Sequence, residues 1–276
     1  MASELTNAVV LLLTVLYALL TDHSARIYLT GKSRFEKYAR PVLVGTVSLH
    51  LFALVLRGIE TGTCPVLTRW EALSFIAFCV AAIYLVLELR RKIRVTAVFI
   101  LGLAALLQFC SAVFVLSQEP VEGLGSPNLS ESFHAFAAML GISGVAVAGM
   151  YGFLYLRLDR TIRRGQYASN FFKRMPSLED LGDLTGSAAR LAFLSLSVTV
   201  GLGIWNWLAR DPNEELIALP LLPIITTLAL WALLGFCAIG HRLGKFGGVR
   251  LAWCTLCAFA AALGLLVSLG PQGVHG

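Results

Sequence analysis

Five histidines are the residues of this chain best suited to hold a metal, and four of them stand in or beside the ends of long apolar stretches. Neutral imidazole is a common ligand of haem iron. Inside hydrocarbon an imidazole is costly unless it pairs, binds a ligand or lines a cavity. His50 falls within the second apolar stretch, towards its middle; His134 opens the fifth, His241 closes the seventh, His275 follows the eighth, and His23 stands at an inner boundary. Taken singly, a histidine at a helix end is a solvated or hydrogen-bonded residue as readily as a ligand. Taken as a set, two outer and two inner or buried positions would make two bis-imidazole sites.

The elements that must position these residues are membrane spans. The 276 residues are 57% hydrophobic and 14% charged, against about 25% charged in soluble domains, which argues against a water-soluble fold. Apolar runs continue from end to end without a long polar linker, so the chain reads as one polytopic membrane domain over 1–276. The spans expected are 5–22, 41–57, 69–89, 95–116, 133–156, 188–208, 219–240 and 251–270, each close to the roughly 17–25 residues a transmembrane helix needs. The first has only Glu4 before its apolar run, lacking the basic segment of a signal peptide, and no small-residue cleavage site follows. It is expected to remain as a helix.

Orientation follows from the 22 Lys and Arg, because cytoplasmic loops carry the basic excess. Segments 23–40, 90–94, 157–190 and 241–250 hold 19 of them, and only Arg57, Arg69 and Arg210 lie on the opposite side. That distribution predicts an all-α integral membrane protein of eight helices with both termini on the outer side. The net charge of +6 is then an insertion signal. Nucleic acid is not an expected partner, since the basic residues flank spans and are not interleaved with aromatics on a soluble face. The bilayer itself is.

Of six cysteines only Cys64 lies in an outer loop, so a structural disulfide framework is not expected. Cys254 and Cys257 form a CxxC within the last span and read as small apolar packing residues. No CxxCH occurs, and covalent attachment of haem to this chain is not indicated. In the fifth span Gly144, Ala148 and Gly152 recur every four residues, preceded by Ala137 and Gly141, a spacing that lets a neighbouring backbone approach closely. Ser177 with Asp180 three residues on, after Pro176, marks a helix start that leads towards the sixth span.

The words around the histidines resemble the cytochrome c assembly family of haem-handling membrane proteins, the CcsA and CcmC type. Members have a histidine in an early span, a G-x-x-P turn and a helix beginning with Glu; here these are His50, Gly62-Thr63-Cys64-Pro65 and Glu71-Ala72-Leu73-Ser74-Phe75. An external histidine heading a helix is matched by Phe133-His134-Ala135-Phe136, and a cytoplasmic P-S-L-E stretch by Pro176-Ser177-Leu178-Glu179. The family's external Trp-rich loop is reduced to Trp205-Asn206-Trp207 and Asp211-Pro212-Asn213-Glu214. His241-Arg242 to Arg250 and Gly273-Val274-His275 complete the order. The resemblance covers residues 45–276.

That resemblance implies non-covalent haem b, with His134 and His275 as iron ligands outside and His50 and His241 within. Trp205 and Trp207 would lie against the porphyrin, unless they form an interfacial aromatic belt, and Arg210 would meet the propionates. One depth conflicts with the inner pair: His50 lies nine residues past Pro41, roughly 13 Å from the inner boundary, whereas His241 lies near it. The implied function is haem handling or delivery for cytochrome c maturation in a bacterial inner membrane. A membrane partner with an external domain, CcsB/ResB-like, would take part, and apocytochrome c would be the acceptor. The alternative within the resemblance is a HemX/YpjD-like regulator or accessory subunit linked to haem synthesis, favoured by the short Trp loop. A transporter of another solute would need inverted repeats or broken helices, and no convincing internal repeat is found, although Pro220 and Pro223 could kink the seventh helix. No nucleophile with a positioned base points to an enzyme acting alone; lyase activity would belong to a complex.

Overall fold

A computed structural model describes residues 2–31, 36–61, 69–91, 93–115, 129–209, 221–244 and 246–268. Its described elements are α1 (Ala2–Thr30), α2 (Glu36–Thr61), α3 (Arg69–Arg91), α4 (Ala97–Val115), α5 (Leu129–Arg163), the five-residue α6 (Asn170–Arg174), α7 (Leu178–Leu208), α8 (Leu221–Arg242) and α9 (Gly248–Ser268). Seven of them, α1 to α5, α7 and α8, are long and apolar enough to cross a bilayer; the described apolar stretch of α9, Gly248–Gly264, is shorter. The protein is therefore all-helical among its described residues and built as a multi-pass membrane protein.

Burial supports this, because many large apolar side chains face outward while several polar ones join the apolar core. Leu11, Val15 and Leu19 of α1, Leu51, Phe52 and Val55 of α2, Leu194 and Val198 of α7 and Phe236 and Ile239 of α8 are exposed, while Thr46, His50, Gln108, Ser143 and Thr255 are buried. Soluble monomers rarely expose contiguous apolar patches of this kind; lipid makes them neutral. Hydroxyls in the apolar helices turn back onto their own backbones, as Thr14 to the Val10 carbonyl, Thr46 to Val42, Thr185 to Leu181 and Thr226 to Leu222. Each such bond spares a donor that hydrocarbon cannot satisfy.

Several helices outrun their apolar segments. α1 continues past residue 22 to Thr30, α5 past 156 to Arg163, and α7 begins at Leu178, directly after Ser177, ten residues before the apolar run expected at 188. The capping signature at Ser177 therefore marks a true start. Polar extensions stay helical with the help of ion pairs one turn apart, Arg26 with Asp22 at 2.7 Å and Arg163 with Asp159 at 2.8 Å. Gly31 ends α1 with φ +78°, a left-handed value suited to glycine, and its N–H bonds the Ile27 carbonyl.

The chain divides into two compact units. The first is Met1–Pro127 with Arg157–Ser177, the second Asn128–Leu156 with Leu178–Gly276. In the first, α1 packs on α2 and α4, and α3 packs on the same two, giving a four-helix ring. α2 and α3 are clamped at both ends by charge. Arg57 Nε donates to Glu71 Oε1 at 3.0 Å, and at the other end Arg40 and Arg94 converge on Glu88 Oε1 at 3.3 and 3.2 Å. Glu88 is buried while both arginines are about one-third exposed. Glu88→Gln should lower stability by about 2 kcal/mol, less than a fully buried pair because water reaches the guanidinium groups. The drop in the unfolding midpoint in detergent checks this, and a Glu88→Gln protein as stable as the parent would show the cluster to be inert.

In the second unit α7 packs on α8 and α9, and α8 on α9. The small residues of α5 do what their spacing implies: Gly144 faces the backbone of Ala192 on α7, and Gly152 faces Ala252 and Thr255 on α9. A Cβ at Gly144 would stand 3.0 Å from three atoms of Ala192, so the two helices approach to backbone contact there.

Candidate functional site

His134 lies in the second turn of α5, half-buried, with its ring laid over Gly203 of α7. Its Nδ1 is 2.9 Å from the Thr199 carbonyl. A carbonyl only accepts, so Nδ1 carries the proton and Nε2 carries the lone pair. Glycine at 203 allows this, since a Cβ there would come within 3.2 Å of the imidazole Cε1. A neighbouring bond from Ser130 Oγ to Asn206 Oδ1 ties the same two helix ends together. The imidazole is thereby fixed in orientation and tautomer, with its basic nitrogen available for a ligand. Metal-binding histidines are held in just this way by an outer-shell acceptor.

Trp205 and Trp207 follow on the last two turns of α7 and are 64% and 57% exposed. They share the helix end that carries Thr199 and Gly203. Arg210 and His275 lie outside the described residues, as does the Gly62–Pro65 turn.

His50 occupies a different environment. It is fully buried in the first unit, in the middle of α2. α2 begins at Glu36, before Pro41, so His50 is further from the start of its helix than a span opening at 41 implies. Both ring nitrogens are engaged: Nδ1 is 3.0 Å from Tyr17 Oη on α1, and Nε2 is 3.0 Å from Ser74 Oγ on α3. Ser74 in turn donates to Gln108 Oε1 on α4 at 2.9 Å. The rings of Tyr17 and Phe78 meet the imidazole edge-on, at 5.7 and 5.6 Å between centroids. Iron could bind His50 only after one of its two hydrogen bonds opened.

His241, next to last in α8, is half-buried and packs against Gly186 of α7 within the second unit, where a Cβ would stand 2.7 Å from its Nε2. His50 falls in the first unit and His241 in the second. His23 is half-buried within α1, seven residues before its end. Among the described residues no three His, Cys, Asp or Glu side chains converge on a common point.

Two sets of residues were not anticipated from sequence. Thr199 and Gly203 hold His134 through a backbone carbonyl and an absent side chain, which no residue type announces. Tyr17 and Gln108 had a visible signal, a phenol and a lone amide within otherwise apolar helices, where an unpaired polar group is expensive. No family model, no curated protein and no solved structure matches this chain.

Proposed function

We propose that the chain is a haem-handling membrane protein of the cytochrome c assembly type, which holds haem non-covalently at its outer face with His134 as an axial ligand. The observation that carries this reading is the Nδ1–H bond from His134 to the Thr199 carbonyl, which presents the Nε2 lone pair as an iron ligand requires. The donor set fits haem: an imidazole of α5 oriented by the Thr199 carbonyl of α7, and exposed indoles on that same end of α7. The order of motifs from His50 to His275 supports the family assignment. His275 would supply the second imidazole and Arg210 the contact with the propionates. Haem brings an iron that takes two imidazoles; the chain orients one of them and offers apolar surface to the macrocycle.

In this reading α9 is the eighth span, both termini face outward as the distribution of Lys and Arg indicates, and the membrane is the bacterial inner membrane. An external-domain partner receives or positions the cargo for apocytochrome c. The short segment between Trp207 and Asp211 favours a second reading, a HemX/YpjD-like regulator that senses haem at the same histidine without passing it on.

The test is haem content and absorption spectrum of detergent-purified protein, with haem supplied. Wild type should carry haem with an imidazole-ligated spectrum. His134→Ala should lose at least about tenfold in affinity, the lower end of what disturbing even an outer-shell partner costs. A wild-type protein that takes up no haem, or a His134→Ala variant that binds it unchanged, overturns the proposal. Bound haem together with undiminished c-type cytochromes in a deletion strain selects the regulatory reading.

A further inference from the structure

In the first unit a chain of hydrogen bonds runs around the bundle and ends one link short of closure. α1, α2, α3 and α4 each contribute one side chain, Tyr17, His50, Ser74 and Gln108, bonded in that order. The helices pack in the same cyclic order, with α4 returning to α1. The two ends of the chain therefore belong to neighbouring helices. The register of that pair brings them level: Tyr28 of α1 stacks edge-on against Phe99 of α4, and Gly102 of α4 faces Thr21. Equal steps along both helices from those contacts place Tyr17 beside the turn 106–110, which carries Gln108.

Tyr17, His50 and Gln108 are fully buried. Gln108 Nε2 has no hydrogen-bond partner among the described residues. Buried polar nitrogens are rarely left so, because an unmet donor bears the full cost of leaving water. The sense of the chain defines what is missing. If Tyr17 donates to Nδ1, then Nε2–H donates to Ser74 and Ser74 to Gln108 Oε1, leaving an N–H donor on Gln108 and a lone pair on Tyr17 Oη. With the amide turned over and the imidazole in its other tautomer, every bond reverses, leaving an acceptor on Gln108 and an O–H donor on Tyr17. In both senses one end gives a proton and the other takes one.

A single oxygen that both donates and accepts satisfies that pair. A carbonyl would meet one end alone, and an anion would bring charge to four neutral side chains with no cation among them. We infer that Gln108 and Tyr17 bind a single neutral hydroxyl oxygen that closes the ring, supplied by a water molecule or by the hydroxyl of a membrane-soluble alcohol or quinol. The site joins all four helices through one continuous polar circuit, and it stands independently of haem at His134.

The experiment uses the full chain in detergent, perdeuterated, with glutamine labelled by nitrogen-15 on the side-chain amide. The sequence has four glutamines, Gln108, Gln118, Gln166 and Gln272, and Gln108→Leu identifies the Gln108 signal. Should that variant fail to fold, replacing the other three by asparagine leaves one signal instead. The Gln108 amide protons are expected to show cross-relaxation to a non-protein oxygen-bound proton, lost in Tyr17→Phe. A cross-peak at the water frequency identifies water; a cross-peak to non-protein carbon-bound protons, with a hydroxyl compound in the organic extract, identifies a lipid-soluble ligand. Cross-peaks to protein protons only, or a non-protein cross-peak that persists unchanged in Tyr17→Phe, overturn the inference.

Discussion

Valine in place of Gly152 should destabilise the second unit by about 3 kcal/mol or more, the upper range for overpacking a closed core. A Cβ at this position would stand 2.6 Å from Thr255 Oγ1 and 2.8 Å from the Ala252 carbonyl. The hydroxyl can be removed but the carbonyl cannot. Thr255→Ala should therefore rescue only part of the loss, because the backbone of α9 still blocks the new side chain. Gly201→Ala gives the opposite sign: nothing among the described residues lies within 4 Å of a Cβ there, so the substitution should gain up to about 1 kcal/mol from helix propensity. Unfolding midpoints of the three variants in detergent read this directly. Equal and small effects at Gly152 and Gly201 would mean that α5 and α9 are not in backbone contact.

That contrast shows how far the fold was legible. The four-residue recurrence of Gly144, Ala148 and Gly152 announced a close helix contact, because only small side chains admit a backbone. It did not say which helix would occupy it, and Gly144 and Gly152 turn out to face different partners, α7 and α9. Helix existence was equally plain from apolar length. Helix ends were not, since α1, α5 and α7 continue into polar sequence where hydropathy is silent and local ion pairs and capping decide.

The histidines were legible as a class and not as individuals. Sequence placed His134 at a helix head and His50 within a span, but ligand availability depends on what the second nitrogen does. For His134 that is a carbonyl four residues before a glycine on another helix, and for His50 it is two hydroxyls from two further helices. Pairings across helices carry no short-range signature. The lone amide Gln108 in α4 was the readable clue to the buried circuit, because an apolar helix has no local use for it.

His50→Ala should cost about 4 kcal/mol, combining a large-to-small cavity with the loss of hydrogen bonds to Tyr17 and Ser74. His50→Leu refills most of the volume and leaves mainly the polar loss, about 2 kcal/mol, because Tyr17 Oη loses its bond to the imidazole while Ser74 keeps Gln108. Adding Tyr17→Phe to His50→Leu deletes the other partner of that bond, and part of the remaining loss should return, since deleting both partners of a buried bond costs less than deleting one; the recovery is incomplete because the oxygen shared with Gln108 loses its contact to Tyr17. The double-mutant cycle measures that recovery. On the proposed haem-handling function, haem content supplies the second readout: with both ring nitrogens held by protein, His50→Leu should leave haem uptake per folded molecule unchanged, whereas His134→Ala should lower it. If His50→Leu is fully stable yet haem-free, the imidazole is a ligand and its two hydroxyl contacts are incidental; if it is destabilised and haem-replete, its work is to join α1, α2 and α3.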